Sequence, residues 1–344
     1  MPSPRLSEVL TSTGALFKRL VTIQPNAPKL TVGLDLGSTS VKVVALGPPK
    51  GGAHAPRPLL GHHLMPFQEG TTDPVEAIKA AVAALSIPVQ SVNLSVSGQW
   101  VIMRILEMPA MKPAEVRQTL PYEAQRYLPF PIQDVVIDGA ILGPAGPHKI
   151  WVLIVACKKE LVERRIDWAR RAGLEPALID VDALALANAF TAQGDGRKPQ
   201  GTRVLIHAGA QLTHVVILRH EVPYLVRDLP WGGEKFLRSV AEQLGLEVAA
   251  VKEQLARGDT TPELLNALKL AAEPLVTELQ LSFDYFENQF GKPPEEALIS
   301  GGLGQLAGFV EGLKGALTQP VTAWTPASEL SAQFAVAYGL ALRC

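Results

Sequence analysis

Six residues between Asp35 and Lys42 carry the densest chemistry in this sequence: Asp35, Gly37, Ser38, Thr39, Ser40 and Lys42. A tight turn between two strands aims successive backbone N–H groups at one point and makes a nest for an anion. Gly37 lets the chain approach a phosphate closely. Ser38, Thr39 and Ser40 add hydroxyls, and Lys42 adds a point charge for the same anion. Asp35, at the end of the first strand, is the candidate metal residue, holding the waters of a magnesium ion. Gly-Ser-Thr-Ser is also a good plain hairpin turn. A second glycine turn follows a buried run at Leu298–Ser300, where Gly301 and Gly302 would let the backbone lie flat against a base and ribose.

The elements that position these residues follow from period and punctuation. Residues 30–46 read as two strands around the polar turn, with a third strand near 59–67. Asp73-Pro74 opens a helix to about 85. Strands are expected at 91–97, 100–107, 134–141 and 150–157, with helices at 113–127 and 158–172. Residues 179–190 pass from strand to helix, and Gly194 to Pro199 is the linker. Two strands in 203–219 and one at 222–229 precede helices near 232–244, 247–256 and 262–289, and a last helix spans 328–342. At an offset of 172 positions, Val32–Leu46 aligns without gaps on Val204–Leu218, placing Gly37 on Gly209 and Val43 on Val215. Two halves opening with the same strand–turn–strand unit predict a duplicated α/β architecture.

Composition narrows the function classes. At 344 residues the chain is long enough for two domains, and 47% hydrophobic with 19% charged residues is globular. A net charge of −1 gives no reason to expect nucleic acid. Two cysteines, Cys157 and Cys344, form no CxxC pair, which fits a reducing cytosol. No secretory signal and no membrane-spanning run is read, and residues 6–23 form at most a weakly amphipathic helix in a leader of 1–28. No hydrolytic constellation is visible: Ser97-Gly98-Gln99-Trp100 lacks a nucleophile-elbow context. Glu123, Arg126, Arg164, Arg165, Arg170 and Arg171 read as solvated helix faces, and Asp182 as the cap of the helix it precedes. His207, His214 and His220 are not expected to converge on a metal, because period 2 would set 207 on the opposite strand face from 214 and 220.

Gly33-Leu34-Asp35-Leu36-Gly37-Ser38 followed by Val41-Lys42 resembles the first phosphate hairpin of the actin, Hsp70 and sugar-kinase superfamily. With the second hairpin and Ser300-Gly301-Gly302, it is similar to that superfamily's phosphate 1, phosphate 2 and adenosine motifs. Within it, the chain is most similar to the PilM family of cytoplasmic actin-like proteins of type IV pilus assembly. The passages Leu106 to Met111, Tyr122 to Pro131, Ala172 to Pro176, Asp180 to Leu186, Asp228 to Gly233 and Ser282 to Phe286 carry that likeness. The resemblance implies an actin/Hsp70-like two-lobed fold with an inserted α+β subdomain. Its parts would be 29–89 and 174–198 for the first lobe, 90–173 for the insert and 199–344 for the second lobe. It also implies an ATP or ADP site with magnesium that uses, besides the residues above, Gly209, Thr213, Gly232, Gly233 and Lys252. The implied partner is the cytoplasmic N-terminal peptide of a PilN-like inner-membrane protein, docked in a groove within residues 90–172. Other pilus components, among them the assembly ATPase, and self-association are left open, with membrane contact only through partners.

Two departures bear on the chemistry. Where the family's second hairpin carries an aspartate, this chain has His207, which cannot hold magnesium-bound water as a carboxylate does. Val248-Ala249 replaces an expected Ala-Glu ahead of Lys252, removing the acid near the ribose. Nucleotide binding is therefore expected to be weak or lost, with little or no hydrolysis and no catalytic residue assigned. The alternatives are a small-molecule kinase of the same superfamily, which needs an intact second phosphate site, and an FtsA-like division scaffold, which needs an amphipathic C-terminal tail.

Overall fold

The computed structural model describes residues 30–50, 56–67, 73–193 and 201–343, so the leader 1–28 and the linker 194–199 lie outside the described residues. The chain divides into two compact units, one of residues up to 188 together with those from 336, the other Ala189–Ala335.

In the first unit β1 (Thr31–Leu36) and β2 (Ser40–Leu46) form the hairpin read from the sequence, followed by β3 (Leu59–Pro66), α1 (Val75–Ala83) and β4 (Ser91–Val96). The insert contributes β5 (Val101–Pro109), α2 (Pro113–Gln125), β6 (Val135–Gly146) and β7 (Lys149–Lys158). Then come α3 (Lys159–Arg171), β8 (Glu175–Val181) and α4 (Asp182–Thr191). The main sheet has the order β3-β2-β1-β4-β8, with β1, β4 and β8 parallel. Strand β1 is buried at all six positions, as a central strand covered on both faces must be. The insert is a separate sheet, β5-β7-β6. Its own core is Met108, Val116, Leu120, Ala124, Val152 and Ile154.

The second unit contains β9 (Thr202–Ala208), β10 (Thr213–Arg219), β11 (Val222–Leu229), α5 (Gly233–Leu244), α6 (Val248–Arg257) and α7 (Pro262–Phe290). It continues with β12 (Glu296–Gly301), α8 (Ala307–Ala316) and β13 (Val321–Ala323). Its sheet order, β11-β10-β9-β12-β13, repeats that of the first unit strand for strand. The short edge strand β13 has three residues and leaves no period to detect in the sequence.

The expected helix over 328–342 is shorter: a 3-10 turn at Ala332–Phe334 leads into α9 (Ala335–Ala341). From Val336 onward this segment packs on the first unit, whereas the boundary expected from the sequence put 199–344 in the second lobe. The physical reason is close packing. A Cβ on Gly33 would overlap the Ala337 carbonyl oxygen, and one on Gly339 would overlap the Ala185 backbone. The Asn93 amide donates to the Leu340 and Arg343 carbonyls, each at 2.8 Å. Among the described residues, no helix is long and apolar enough to cross a membrane.

Candidate functional site: two glycine hairpins

In the first unit the β1–β2 turn is closed by the Gly37 N–H donating to the Ser40 carbonyl at 3.1 Å. Asp35 and Lys42 face each other across the strands, and the Lys42 ammonium donates to the Asp35 carboxylate at 2.9 Å, with both side chains nearly sealed from solvent. A Cβ on Gly37 would come within 3.2 Å of the Lys42 ammonium, so the charge lies over the turn. Ser38 and Thr39 are exposed at the tip, while Ser40 is buried.

Arg165 joins this region, and the sequence reading of it as part of a solvated face is corrected. Its Nε is sealed from solvent without a hydrogen-bond partner. Burial pulls its guanidinium below the ordinary value, opposed by the fields of Asp182 and then Asp35. The signal was present: Arg165 lies within the apolar stripe Val162, Ile166 and Ala169 that α3 buries. A long cation on a buried stripe needs acidic neighbours. Asp180 is a structural acid, 1% exposed and paired with Arg343. Asp182 is the first residue of α4, one position inside the helix it was expected to cap.

In the second unit three glycine turns converge. The Gly209 N–H donates to the Leu212 carbonyl at 2.9 Å, and the Gly233 N–H donates to the Gly209 carbonyl at 2.9 Å. A Cβ on Gly232 would lie 2.6 Å from the Ala210 oxygen, which demands glycine there. Gly301 pairs with Ala208 across parallel strands, has φ +87, and has no room for a side chain against the Ala208 backbone. Gly302 starts the 3-10 turn that follows, and nothing stands in the space its side chain would fill. Thr213 is fully buried and its hydroxyl donates to the Trp231 carbonyl at 2.9 Å, so it braces the turn from beneath. Lys252 is exposed on α6, and no hydrogen bond or ion pair ties it to the glycine turns.

His207 stands in a row of polar side chains that crosses four strands in register: Ser300 on β12, His207 on β9, His214 on β10 and Asp228 on β11. His207 Nδ1 and Ser300 Oγ are 3.0 Å apart. The two imidazoles stack with centroids 5.9 Å apart, and His214 Nδ1 meets Asp228 Oδ1 at 2.7 Å. The expectation that 207 and 214 lie on opposite faces is thus overturned. Parity applies along one strand, whereas directly opposed residues of an antiparallel pair share a face. His220 sits at the other end of the hairpin, and among the described residues no cluster fit for a metal ion is found.

Two sheets of matching order, each opening on a tight glycine-bearing hairpin, define an actin-like protein. The same fold is found at 14% identity and a TM-score of 0.54 in the ethanolamine utilization protein EutJ of Carboxydothermus hydrogenoformans, over 98% of this chain and 99% of that one. The chain belongs to the family of the type IV pilus assembly protein PilM, which it matches over residues 33–344. It is similar, at 26% identity and a TM-score of 0.78, to the solved PilM-PilN type IV pilus biogenesis complex, with 92% of this chain and 98% of that chain covered.

Proposed function

We propose that this pilus-assembly protein is a cytoplasmic scaffold, peripheral to the inner membrane, that holds the cytoplasmic N-terminal peptide of a PilN-like protein on its first unit. The relative solved as a PilM-PilN complex supports the partner class. The observation that carries the docking region is an aromatic platform where the insert leaves the main sheet. Trp100 is 40% exposed, and Phe130 lies 5.9 Å from it. The Lys158 ammonium stands 4.0 Å from the Trp100 ring centroid. A half-exposed aromatic anchor beside a fixed cation is the composition of a binding hot spot for a short peptide.

The nucleotide part of the reading divides. The closed turn at Gly37 and the Lys42 ammonium over it suit a phosphate. Magnesium fits poorly, because Lys42 already pairs with Asp35 and His207 is bound into the sheet's polar row. The site residues therefore support weak, metal-poor nucleotide binding without turnover.

The test is anisotropy of a labelled peptide from the cytoplasmic segment of the co-encoded membrane protein, alongside ATP titration with and without magnesium. Trp100→Ala is expected to weaken the peptide about tenfold, roughly 1.4 kcal/mol. Absence of peptide binding, or sustained ATP hydrolysis, overturns the proposal.

A further inference from the structure

The end of the second unit remote from its glycine turns holds a cavity that the scaffold reading does not use. It lies where β9 begins, β10 ends and α7 stops, and its volume is about 530 Å3. That is the size of a small-molecule site. Arg219, His220, Lys292 and Glu295 line it, over Phe286 and Phe290. The two phenyl rings are 4.7 Å apart, and Tyr224 stands edge-on to Phe290 at 5.2 Å. Arg219 and Lys292 are exposed, and among the described residues neither is in an ion pair. The Glu295 carboxylate packs over the backbone of Gly201, in the space a side chain there would fill.

A second, independent observation falls at the same place. Arg219 and Val222 pair across a two-residue turn, His220-Glu221, with φ of +50 and +66. A hairpin turn left-handed at both central positions is normally Asn-Gly or Asp-Gly, because a full side chain there crowds the backbone. Residues held in that region collect at ligand sites, where the surroundings impose them. Here the strained turn places His220 in the cavity wall.

We propose that this cavity is a second ligand site, for a small anion carrying a flat apolar body, of the aryl carboxylate or aryl phosphate class. Arg219 and Lys292 meet the anion, His220 adds a polar contact, and Phe290 lies against the ring. A neutral molecule of the same shape leaves the two cations unpaired and binds less well.

The experiment is a 19F NMR titration of the full chain with 4-fluorophenyl phosphate, using 4-fluorobenzyl alcohol as the uncharged control. Saturable binding of the phosphate is expected, with the alcohol weaker by about tenfold. Arg219→Glu with Lys292→Glu, both at exposed positions, is expected to weaken the phosphate by about tenfold or more without moving the thermal midpoint. His220→Asn with Glu221→Gly is expected to raise the midpoint, by relieving the left-handed strain, while weakening the probe several-fold. That variant separates loss of the site from loss of the fold. Four results overturn the proposal: no saturable binding, equal binding of the alcohol, full affinity in the charge-reversal variant, or full affinity in the relaxed-turn variant.

Discussion

Replacing Arg343 with alanine strands a buried carboxylate, and the size and pH dependence of the loss follow from its surroundings. Asp180 is 1% exposed near the end of β8. Its carboxylate accepts the Val181 N–H at 2.8 Å and the Asn188 amide at 3.5 Å, and it meets Arg343 Nε at 3.3 Å. Burial raises its pKa, with the Arg343 charge the largest opposing cause. Removing one partner of a buried ion pair costs about 3–5 kcal/mol. Because the Arg343 side chain keeps 13% exposure and the Val181 N–H survives, the lower end, about 3 kcal/mol, is expected.

The sign with pH is fixed. An acid whose folded pKa lies above its unfolded value binds more protons when folded, so stability falls as pH rises through that interval. Loss of Arg343 pushes Asp180 further up and widens the interval. The deficit of Arg343→Ala against the parent therefore grows as pH rises above the ordinary carboxylate range. Urea unfolding, with hydrogen exchange read over 31–46 and 91–96, measures it in the unit concerned. Asp180→Asn added to Arg343→Ala is expected to recover most of the loss. A deficit below about 0.5 kcal/mol, the range of an ordinary surface change, or one independent of pH, rules out a buried Asp180–Arg343 pair.

Gly33→Ala is expected to cost about 1–3 kcal/mol by forcing α9 off β1, with faster exchange in 91–96; a neutral result means α9 is not packed there. His207→Asp breaks the polar row but returns a carboxylate to the second hairpin. It is expected to gain magnesium-dependent ATP affinity of roughly tenfold in calorimetry, and affinity indifferent to magnesium contradicts the account of the weak site. The Cys157 thiol, fully buried, is pushed up to about 12 by burial. It should resist iodoacetamide near pH 8 until urea unfolds the chain; mass mapping of the label separates it from Cys344, and labelling of Cys157 in the folded protein at a free-thiol rate contradicts the burial of β7.

Both hairpins, the insert's elements and the glycines of the turns were legible in the sequence, whereas Gly33 and Gly339, which touch distant backbone, were not. Gly37, Gly209 and Gly301 sit between buried runs whose type and length leave few conformations open. The repeat of Val32–Leu46 in Val204–Leu218 disclosed two sheets of like order for the same reason, since each strand's burial is written in its own residues. Arg165 shares the buried stripe of its helix with Val162, Ile166 and Ala169, and its charge alone gives no sign of that burial.

Other features belong to the tertiary structure alone. Residue period reports which face of an element is buried, but not what lies against it. Nothing local says that the Asn93 amide donates to the carbonyls of Leu340 and Arg343, or that α9 closes over β1. The facing of His207 and His214 depends on where the hairpin turns, one step of register deciding whether the two rings stack or part. The elements and their turns follow from local residue order. Pairing across long separations decided which polar groups became partners, because burial free energy is shared among residues the chain brings together only once folded.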